Sequence, residues 1–193
     1  MNPATFKGTL ALLDSDFRRI GSKNKPGSFR KYLYKAMSNA GFRAVFLYRI
    51  GRWFKLNNHS FLASTCQRFM HHLAHCWISV TADIGPGFYI AHVGGLIIGG
   101  ETVIGANCDV RQNVTFGGNF NKVNAKGRSQ PTLGDNISVG AGAVILGPVY
   151  IGSNTIIGAN TVVTRDVEEG VIVFGVPGKV IKKRWSEETG RKL

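Results

Sequence analysis

The sequence predicts a mainly β protein, a parallel β-helix preceded by an α-helical region, and three observations carry this prediction. Apolar anchor residues recur every six positions between Ile78 and Val163, with two interruptions. Glycine directly follows many of the anchors, which indicates turns in backbone conformations that a β-carbon would penalise. Helical spacing of apolar residues is confined to the chain before Ile78. The anchors are Ile78, Ile84, Ile90, Ile98, Ile104, Val110, Phe116, Leu133, Val139, Ile145, Ile151, Ile157 and Val163.

A six-residue repeat of this kind builds coils of three short strands, in which each repeat forms one flat face. Each anchor is expected to stack on the anchor three repeats away, so the thirteen anchors make a little over four coils. A β-sandwich does not fit this spacing, because its strands alternate with period two and turn roughly every 8 to 12 residues. The sequence therefore predicts an interior column of aliphatic side chains.

The repeat is interrupted twice. Two extra residues fall between Ile90 and Ile98, and they bring in His92, which is the only histidine after residue 75. Residues 119–130 form a polar excursion that cannot fit inside the column, so they are expected to project as a loop. A repeat that breaks at a titratable side chain indicates a functional site on a scaffold. A structural histidine at a coil corner is the alternative.

The chain before the coils is predicted to form a small helical region, and a tail follows the coils. The expected units are residues 1–77 (basic helical region), 78–168 (β-helix) and 169–193 (strand and capping tail). Helices are expected at about residues 5–20, 28–39, 42–56 and 61–77. The tail is predicted as a strand at 171–174, a turn at 175–178 and a basic helical end at 179–193 that contains Trp185.

The formal net charge of the 193 residues is +13, and it is unevenly distributed. Residues 1–77 carry 13 Lys or Arg and only two Asp, which gives +11. Such a region can steer anions, contact anionic lipid or bind nucleic acid, or it can simply be a solvated face. Peripheral contact with the membrane stays open, whereas the absence of a nucleic-acid-binding motif argues against nucleic acid as a partner.

Cysteines and histidines give little support for a metal site or a disulfide framework. The sequence predicts a cytoplasmic protein, because its three cysteines lack the spacing of a disulfide framework and it shows no signal peptide and no apolar run long enough to span a bilayer. A location at the inner face of the membrane is the open alternative. His71, His72, His75 and Cys76 resemble metal ligands, but no further ligand follows nearby, so no metal is expected. Cys108 is expected to be a small buried apolar residue.

Several segments resemble the hexapeptide-repeat acyltransferases, and within them the serine acetyltransferase-like group. The segments are GFRAVFLYRIGRW (41–53), GFYIAH (87–92), GGETVIG (99–105), NVTFGG (113–118), SVGAG (138–142) and GVPGK (175–179). The resemblance implies a left-handed parallel β-helix and a homotrimer, with an acetyl-CoA cleft between adjacent solenoids. It also implies direct acetyl transfer from acetyl-CoA to a hydroxyl group.

The resemblance assigns a role to several residues of the chain. His92 matches the family's general base, and neutral imidazole suits the removal of a hydroxyl proton. A backbone N–H near Gly117 or Gly118 is expected to stabilise the oxyanion. For the cofactor, Ala141 is expected along the pantetheine arm, and Lys179, Lys182 and Lys183 at the CoA phosphates. For the acceptor, the expected contacts are Asn113, Arg128 and Gln130. The group that orients His92 stays open among Asp83, Asn113 and a main-chain carbonyl.

The chain departs from the serine acetyltransferase pattern at four positions. The aspartate before the catalytic histidine is Ala91 here, and the aspartate one coil earlier is Trp77. The family's Arg-His pair in the loop is replaced by Ser129 and Gln130. These positions serve serine recognition in the family, so the sequence favours a sugar hydroxyl of a surface or capsular polysaccharide as acceptor. Serine is the alternative acceptor. A non-catalytic trimeric scaffold with a membrane- or nucleic-acid-binding arm is the alternative of a different class.

Overall fold

The computed structural model describes residues 1–21 and 28–183. Four helices lie before the coils, close to the predicted positions. They are α1 (Phe6–Arg18), α2 (Phe29–Ser38), α3 (Ala40–Leu56) and α4 (Ser60–Ala74). The fourth helix ends earlier than predicted, because His75 adopts a left-handed backbone conformation (φ 50°) that cannot continue it. The first strand then begins at Cys76.

Fifteen short strands follow in the described residues. They are β1 (Cys76–Ile78), β2 (Asp83–Ile84), β3 (Tyr89–Ile90), β4 (Leu96–Ile98), β5 (Val103–Ile104), β6 (Asp109–Val110), β7 (Thr115–Gly117), β8 (Thr132–Leu133), β9 (Ser138–Val139), β10 (Val144–Leu146), β11 (Tyr150–Ile151), β12 (Ile156–Ile157), β13 (Val162–Val163), β14 (Val171–Phe174) and β15 (Lys179–Lys183). They form three sheets. The first sheet has the order β1-β4-β7-β10-β13, the second β2-β5-β8-β11, and the third β3-β6-β9-β12-β14-β15.

The strands stack in register from coil to coil, as a parallel β-helix requires. In the first sheet Ile78 pairs with Ile98, and Ile98 pairs with Phe116. All thirteen anchors are at most 3% exposed, and they form one continuous core. The predicted stacking of each anchor on the anchor three repeats away is therefore confirmed.

Arginine side chains attach the helical region to the first coils. Arg49 in α3 is buried, and it donates to the carbonyl oxygens of Ile84 (2.5 Å) and Gly85 (2.6 Å). Arg52, one turn later, donates to the Ala82 carbonyl at 2.5 Å and pairs with Asp83 at 2.8 Å. These contacts hold the helices against the top of the β-helix.

Further arginines of the basic region also bind the chain itself. Arg43 donates to three carbonyl oxygens at 2.8 Å, which join α2, α3 and α4. Arg19 donates to the Asn107 carbonyl at 3.1 Å and approaches Asp109 at 3.4 Å. Four of the 13 Lys and Arg residues of the region 1–77 (Arg19, Arg43, Arg49 and Arg52) thus bind the chain itself, and these contacts give no support to a membrane-binding role. Within the described residues, no helix is both long and apolar enough to cross a bilayer.

The tail is only partly as predicted. The strand at 171–174 is confirmed as β14. The helical end expected from Lys179 is wrong for the described part, because Lys179–Lys183 forms β15 and pairs antiparallel with β14. The reason is the free edge of β14, whose backbone groups β15 satisfies. The remainder of the predicted helix, residues 184–193 with Trp185, lies outside the described residues.

Candidate functional site

His92 lies on the insertion between β3 and β4, where the third sheet passes into the first, and its side chain is exposed. We call this corner of the coils the base edge; it comprises residues 91–95, 111–113, 140–142 and 158–160. Backbone hydrogen bonds fix the insertion at both ends. The N–H of Ala91 donates to the Val110 carbonyl at 3.0 Å, and the N–H of Gly95 donates to the His75 carbonyl at 2.9 Å. His92 is therefore presented to solvent on a backbone anchored at both ends.

Two further residues predicted for the site lie on the same edge, in successive coils. Asn113 has a positive φ of 58°, and its N–H donates to the Gly94 carbonyl at 2.8 Å. Its side-chain oxygen occupies the space that a Cβ on Gly95 would need, so this corner requires glycine. The carbonyl of Ala141 accepts from the Asn160 N–H at 2.8 Å. The structure thus brings His92, Asn113 and Ala141 onto one edge.

The predicted oxyanion donors and the predicted loop residues Arg128 and Gln130 lie on a different edge, where the first sheet passes into the second. We call it the loop edge; it comprises residues 99–101 and 117–131. Gly117 ends β7, and Gly118 opens the loop that returns to β8. Residues 119–130 project from the coil, with Phe120 96% exposed, which confirms the predicted loop.

Glu101 holds the far end of the loop, and sequence reasoning missed it. Its carboxylate accepts from the N–H and the hydroxyl of Ser129, at 2.7 and 2.9 Å. These bonds, the backbone one first, lower the pKa of the Glu101 carboxyl. The side-chain oxygen of Gln130 accepts from the Glu101 N–H at 3.0 Å and from the Thr102 hydroxyl at 3.1 Å. Arg128 reaches the Glu101 carbonyl at 3.4 Å. The residues predicted to bind acceptor here attach the loop to the coil.

The two edges are separated by the width of the first sheet. Strand β4 spans three residues, or about 10 Å at about 3.3 Å per residue. A general base acts within a hydrogen bond of the reacting hydroxyl, at about 3 Å. Within one chain, therefore, His92 does not meet a donor near Gly117 or Gly118.

The predicted CoA-phosphate lysines lie at the lower end of the molecule. The turn at residues 175–178 continues the base edge into the last coil, where the Gly178 N–H donates to the Val162 carbonyl at 2.8 Å. Lys179 follows this turn, and with Arg165 it lines a pocket of about 290 Å³. Lys182 and Lys183 lie further along β15, opposite β14.

Two residues of the base edge were not predicted. Arg111 is exposed, and no hydrogen bond or ion pair joins it to another described residue. It occupies the position directly after an anchor, where glycine or alanine stands in most repeats; this is the signal that the sequence contained. Gln112 has a buried side-chain oxygen without a partner among the described residues.

Among the candidates for orienting His92, Asp83 lies on the second sheet and pairs with Arg52, so it is not available to the ring. Trp77, at the position of the family's aspartate, is 46% exposed and packs edge-on against His71 with ring centroids 6.1 Å apart. Cys108 is fully buried, as predicted, and burial raises the pKa of its thiol to about 11.

Comparison with known proteins identifies the family. The model of the family described as "Bacterial transferase hexapeptide (six repeats)" matches residues 130–165. The serine acetyltransferase of Synechococcus elongatus is 35% identical over 173 residues, which cover 88% of this chain and 67% of that protein. That of Helicobacter pylori is 34% identical over 143 residues, with coverage of 74% and 82%. The chain belongs to the serine acetyltransferase family. It spans only 60% of another member, the Mycobacterium tuberculosis enzyme, at 36% identity over 141 residues and 73% of this chain.

Solved structures of the family match more than nine-tenths of this chain. Neisseria gonorrhoeae serine acetyltransferase matches with a TM-score of 0.80 and 26% identity, over 95% of this chain and 69% of that one. The same enzyme in complex with serine matches with a TM-score of 0.78 and 28% identity, over 93% and 72%. A serine acetyltransferase in complex with CoA matches with a TM-score of 0.76 and 26% identity, over 91% and 70%.

Membership of the serine acetyltransferase family confirms several predictions. The coils form the left-handed parallel β-helix of the hexapeptide-repeat transferases. The protein is an O-acetyltransferase whose co-substrate is acetyl-CoA. The alternative of a non-catalytic scaffold is thereby set aside.

The prediction of a polysaccharide acceptor is wrong. The relatives and the structural neighbours described above are serine acetyltransferases, and none of them is a sugar O-acetyltransferase. The prediction relied on four departures from the family pattern, namely Trp77, Ala91 and the two loop residues Ser129 and Gln130. In this chain both side chains hold the loop on the Glu101 segment, so their identity reflects loop attachment and carries no information about a sugar.

Proposed function

We propose that this protein transfers the acetyl group of acetyl-CoA to the hydroxyl of L-serine, with His92 as the general base. The observation that carries the proposal is the exposed His92 on its anchored insertion, in a chain that resembles serine acetyltransferases over most of its length. Serine is named as the bound molecule in one structural neighbour, which supports the same acceptor here.

The reaction requires the protein mainly to position the reacting groups. A serine hydroxyl is a weak nucleophile near neutral pH, and a base that takes its proton during attack accelerates the reaction by roughly 10²- to 10⁴-fold. His92 supplies that base at the first coil. The tetrahedral intermediate needs a hydrogen-bond donor for its oxyanion, and we assign this to a backbone N–H near Gly117 or Gly118.

The base edge offers a track for the donor. From His92 it continues past Asn113, Ala141 and residues 158–160 to the turn at residues 175–178, and each of these four steps is one coil. Neighbouring coils are about 4.8 Å apart, so these four steps cover about 19 Å. We propose that acetyl-CoA lies along this edge, with its thioester at His92 and its phosphates near Lys179. Lys182 and Lys183 extend the positive charge beyond Lys179.

We further propose that the complete site forms between adjacent chains of a homotrimer. His92 and the oxyanion donor lie on different edges of one chain, so a neighbour must bring its loop edge to the base edge. The outer face of the first sheet supports this assembly. It carries a row of in-register, mostly apolar side chains: Trp77, Ile97, Thr115, Val144 and Val162.

The test is a steady-state assay of CoA release from acetyl-CoA with L-serine, with O-acetylserine identified by mass spectrometry. We expect saturable turnover that falls by roughly 10²- to 10⁴-fold in His92→Asn. His59→Asn, which changes an exposed histidine at the start of α4, is the matched control. Undiminished turnover in His92→Asn would remove His92 from the mechanism, and no serine-dependent product would overturn the acceptor.

Assembly is tested separately by light scattering and by mixing variants. A trimer mass is expected. Two inactive variants, His92→Asn and Gly118→Trp, should recover part of the activity when they are mixed and reassembled, because some interfaces then combine an intact base edge with an intact loop edge. A monomer with full activity would contradict the shared site.

A further inference from the structure

Arg111 lies beside the residue that precedes His92. Strands β3 and β6 pair in register, with Ile90 opposite Val110. The next step of that register places Ala91 opposite Arg111, and the hydrogen bond from the Ala91 N–H to the Val110 carbonyl extends the ladder to that point. Adjacent strands are about 4.8 Å apart, so the Arg111 backbone is one strand spacing from Ala91.

The neighbours of Arg111 along the edge leave it room. The third sheet continues from Val110 to Val139, so Gly140 follows Arg111 in the next coil. Arg111 therefore lies between an alanine and a glycine, and its exposed guanidinium is not covered by a larger side chain from either coil.

Arg111 is also not neutralised. The base edge, as defined above, contains no Asp or Glu. The acid nearest in sequence is Asp109, and its carboxylate already faces Arg19 at 3.4 Å and accepts from the Ser138 hydroxyl at 3.0 Å. An unpaired cation thus lies one strand spacing from the residue that precedes the base, at a coil position where the repeat otherwise favours small residues.

We propose that Arg111 binds the carboxylate of the acceptor beside His92, which makes the acceptor class a small hydroxy acid whose amino group is not required. This inference rests on the proposed function and sharpens it. Arginine presents two parallel N–H groups that match the two oxygens of a carboxylate, and such a pair fixes the direction of the bound molecule. It thereby holds the acceptor hydroxyl toward the imidazole.

The proposal also accounts for the two missing aspartates. An acidic side chain at position 91 would stand opposite Arg111 and compete with the acceptor for the guanidinium. Ala91 removes that competition, and Trp77 removes the second acid from the neighbouring sheet. The same changes remove the groups that would pair with an ammonium. Carboxylate recognition is therefore retained through Arg111, while ammonium recognition is not.

The experiment compares four acceptors that separate the two charges. L-Serine has both groups, 3-hydroxypropanoate has only the carboxylate, and L-serinamide and ethanolamine have only the amine. We expect kcat/KM for the two carboxylates to agree within about tenfold. The two amines should be lower by about 10- to 100-fold, as the loss of a charged hydrogen bond predicts.

Variants of Arg111 then test whether this residue is the source of the preference for carboxylates. Arg111→Gln should raise the KM of both carboxylates by about 10- to 100-fold, so that kcat/KM becomes similar for the four acceptors. The KM for acetyl-CoA should stay unchanged. Arg111→Lys keeps the charge without the paired donors, and it should recover part of the preference. Arg30→Gln, at an exposed arginine of α2, is the control.

The outcomes distinguish this proposal from the proposed function. If 3-hydroxypropanoate is a substrate and L-serine is not, the serine assignment fails and the role of Arg111 stands. If Arg111→Gln keeps the carboxylate preference, or raises only the KM for acetyl-CoA, the role of Arg111 is overturned. If no acceptor is turned over, calorimetry of 3-hydroxypropanoate with the protein–CoA complex decides. Arg111-dependent binding supports the proposal, and absent or Arg111-independent binding overturns it.

Discussion

Asp16 and Arg49 form an ion pair from which water is excluded, with side chains 0% and 1% exposed and Arg49 Nε 2.8 Å from the carboxylate. The pair joins α1 to α3. The Asp16 carboxylate also accepts from the Phe88 N–H at 2.8 Å, which extends the link to the first coil. Burial raises the pKa of the Asp16 carboxyl, whereas the positive charge of Arg49 and these hydrogen bonds oppose the rise. This buried charge pair therefore links the helices to the β-helix, in addition to the Arg52 and Arg19 contacts described above.

Removal of the acid from this pair should be costly. Asp16→Ala leaves a buried guanidinium without its counter-charge, and we expect the free energy of unfolding to fall by about 3 to 5 kcal/mol. Urea denaturation measures the change. Arg18→Gln is the control, because Arg18 is half-exposed and pairs with Asp14 on the surface, where such a loss costs about 0 to 1 kcal/mol. Equal effects of the two substitutions would contradict the importance of burial.

Adjacent isoleucines in β4 allow a matched test of the anchor column. Ile98 is fully buried, whereas Ile97 points outward and is 45% exposed. We expect Ile98→Ala to lower the free energy of unfolding by about 2 to 5 kcal/mol, because it leaves a cavity in the stacked core. Ile97→Ala should lower the free energy of unfolding of a single chain by far less. A larger loss at Ile97 than at Ile98 would mean that the column is not the main source of stability.

Gln130 and Thr102 should be energetically coupled. The Thr102 hydroxyl is buried, and its hydrogen bond to the Gln130 side chain spans 3.1 Å. Gln130→Ala leaves that hydroxyl unpaired, at a cost of about 1 to 3 kcal/mol. A double-mutant cycle with Thr102→Val should give a coupling energy of about 1 kcal/mol by thermal unfolding. Additive effects would show that the side chain does not hold the loop end.

Restoring an acid at position 91 should weaken acceptor binding. In Ala91→Asp the new carboxylate stands one strand spacing from Arg111, and the two side chains are expected to pair. We predict that the KM for L-serine rises by about tenfold, as the loss of a charged hydrogen bond allows. Ala91→Asn, which has similar size without the charge, is the control. A lower KM in Ala91→Asp would indicate that the acid binds the ammonium of serine instead.

The cysteines should differ in reactivity. With a pKa of about 11, the Cys108 thiol is about one part in a thousand thiolate at pH 8, and it is also fully buried. Cys66 is only half-buried. We expect iodoacetamide to modify Cys66 first and Cys108 only after unfolding, with peptide mass spectrometry as the readout. Cys66→Ser should remove the fast phase, and rapid labelling of native Cys108 would contradict its burial.

The fold was largely predictable because its information is local. Each six-residue repeat contains its own anchor and corner, so the stacking of Ile78, Ile98 and Phe116 follows from counting. The handedness does not follow, since general rules favour right-handed crossovers, and only the resemblance supplied it. The strand at Lys179–Lys183 was missed, because it forms by pairing with a free sheet edge and not from an internal pattern.

The site was predictable only in part, because its contacts join distant positions. His92 stood out as an interruption of the repeat. The attachment of Ser129 to Glu101 spans 28 residues, and no pattern in the sequence announces it. Arg111 could be recognised in the sequence as a cation among small residues. Its role could be inferred only from the strand register that places it opposite Ala91. Sequence counting also could not show that the base and the loop occupy different edges.

Because the coils stack in register, the base edge can change its length only by whole coils, and this sets the lengths of the molecules that it can hold. Each coil adds one step of about 4.8 Å, and intermediate lengths do not exist. Duplicating one coil, such as residues 140–157, would move the Lys179 turn one step further from His92 while each new strand found partners equivalent to the old ones. A donor with a longer or shorter arm would therefore be matched by adding or deleting whole coils, with no new kind of contact required.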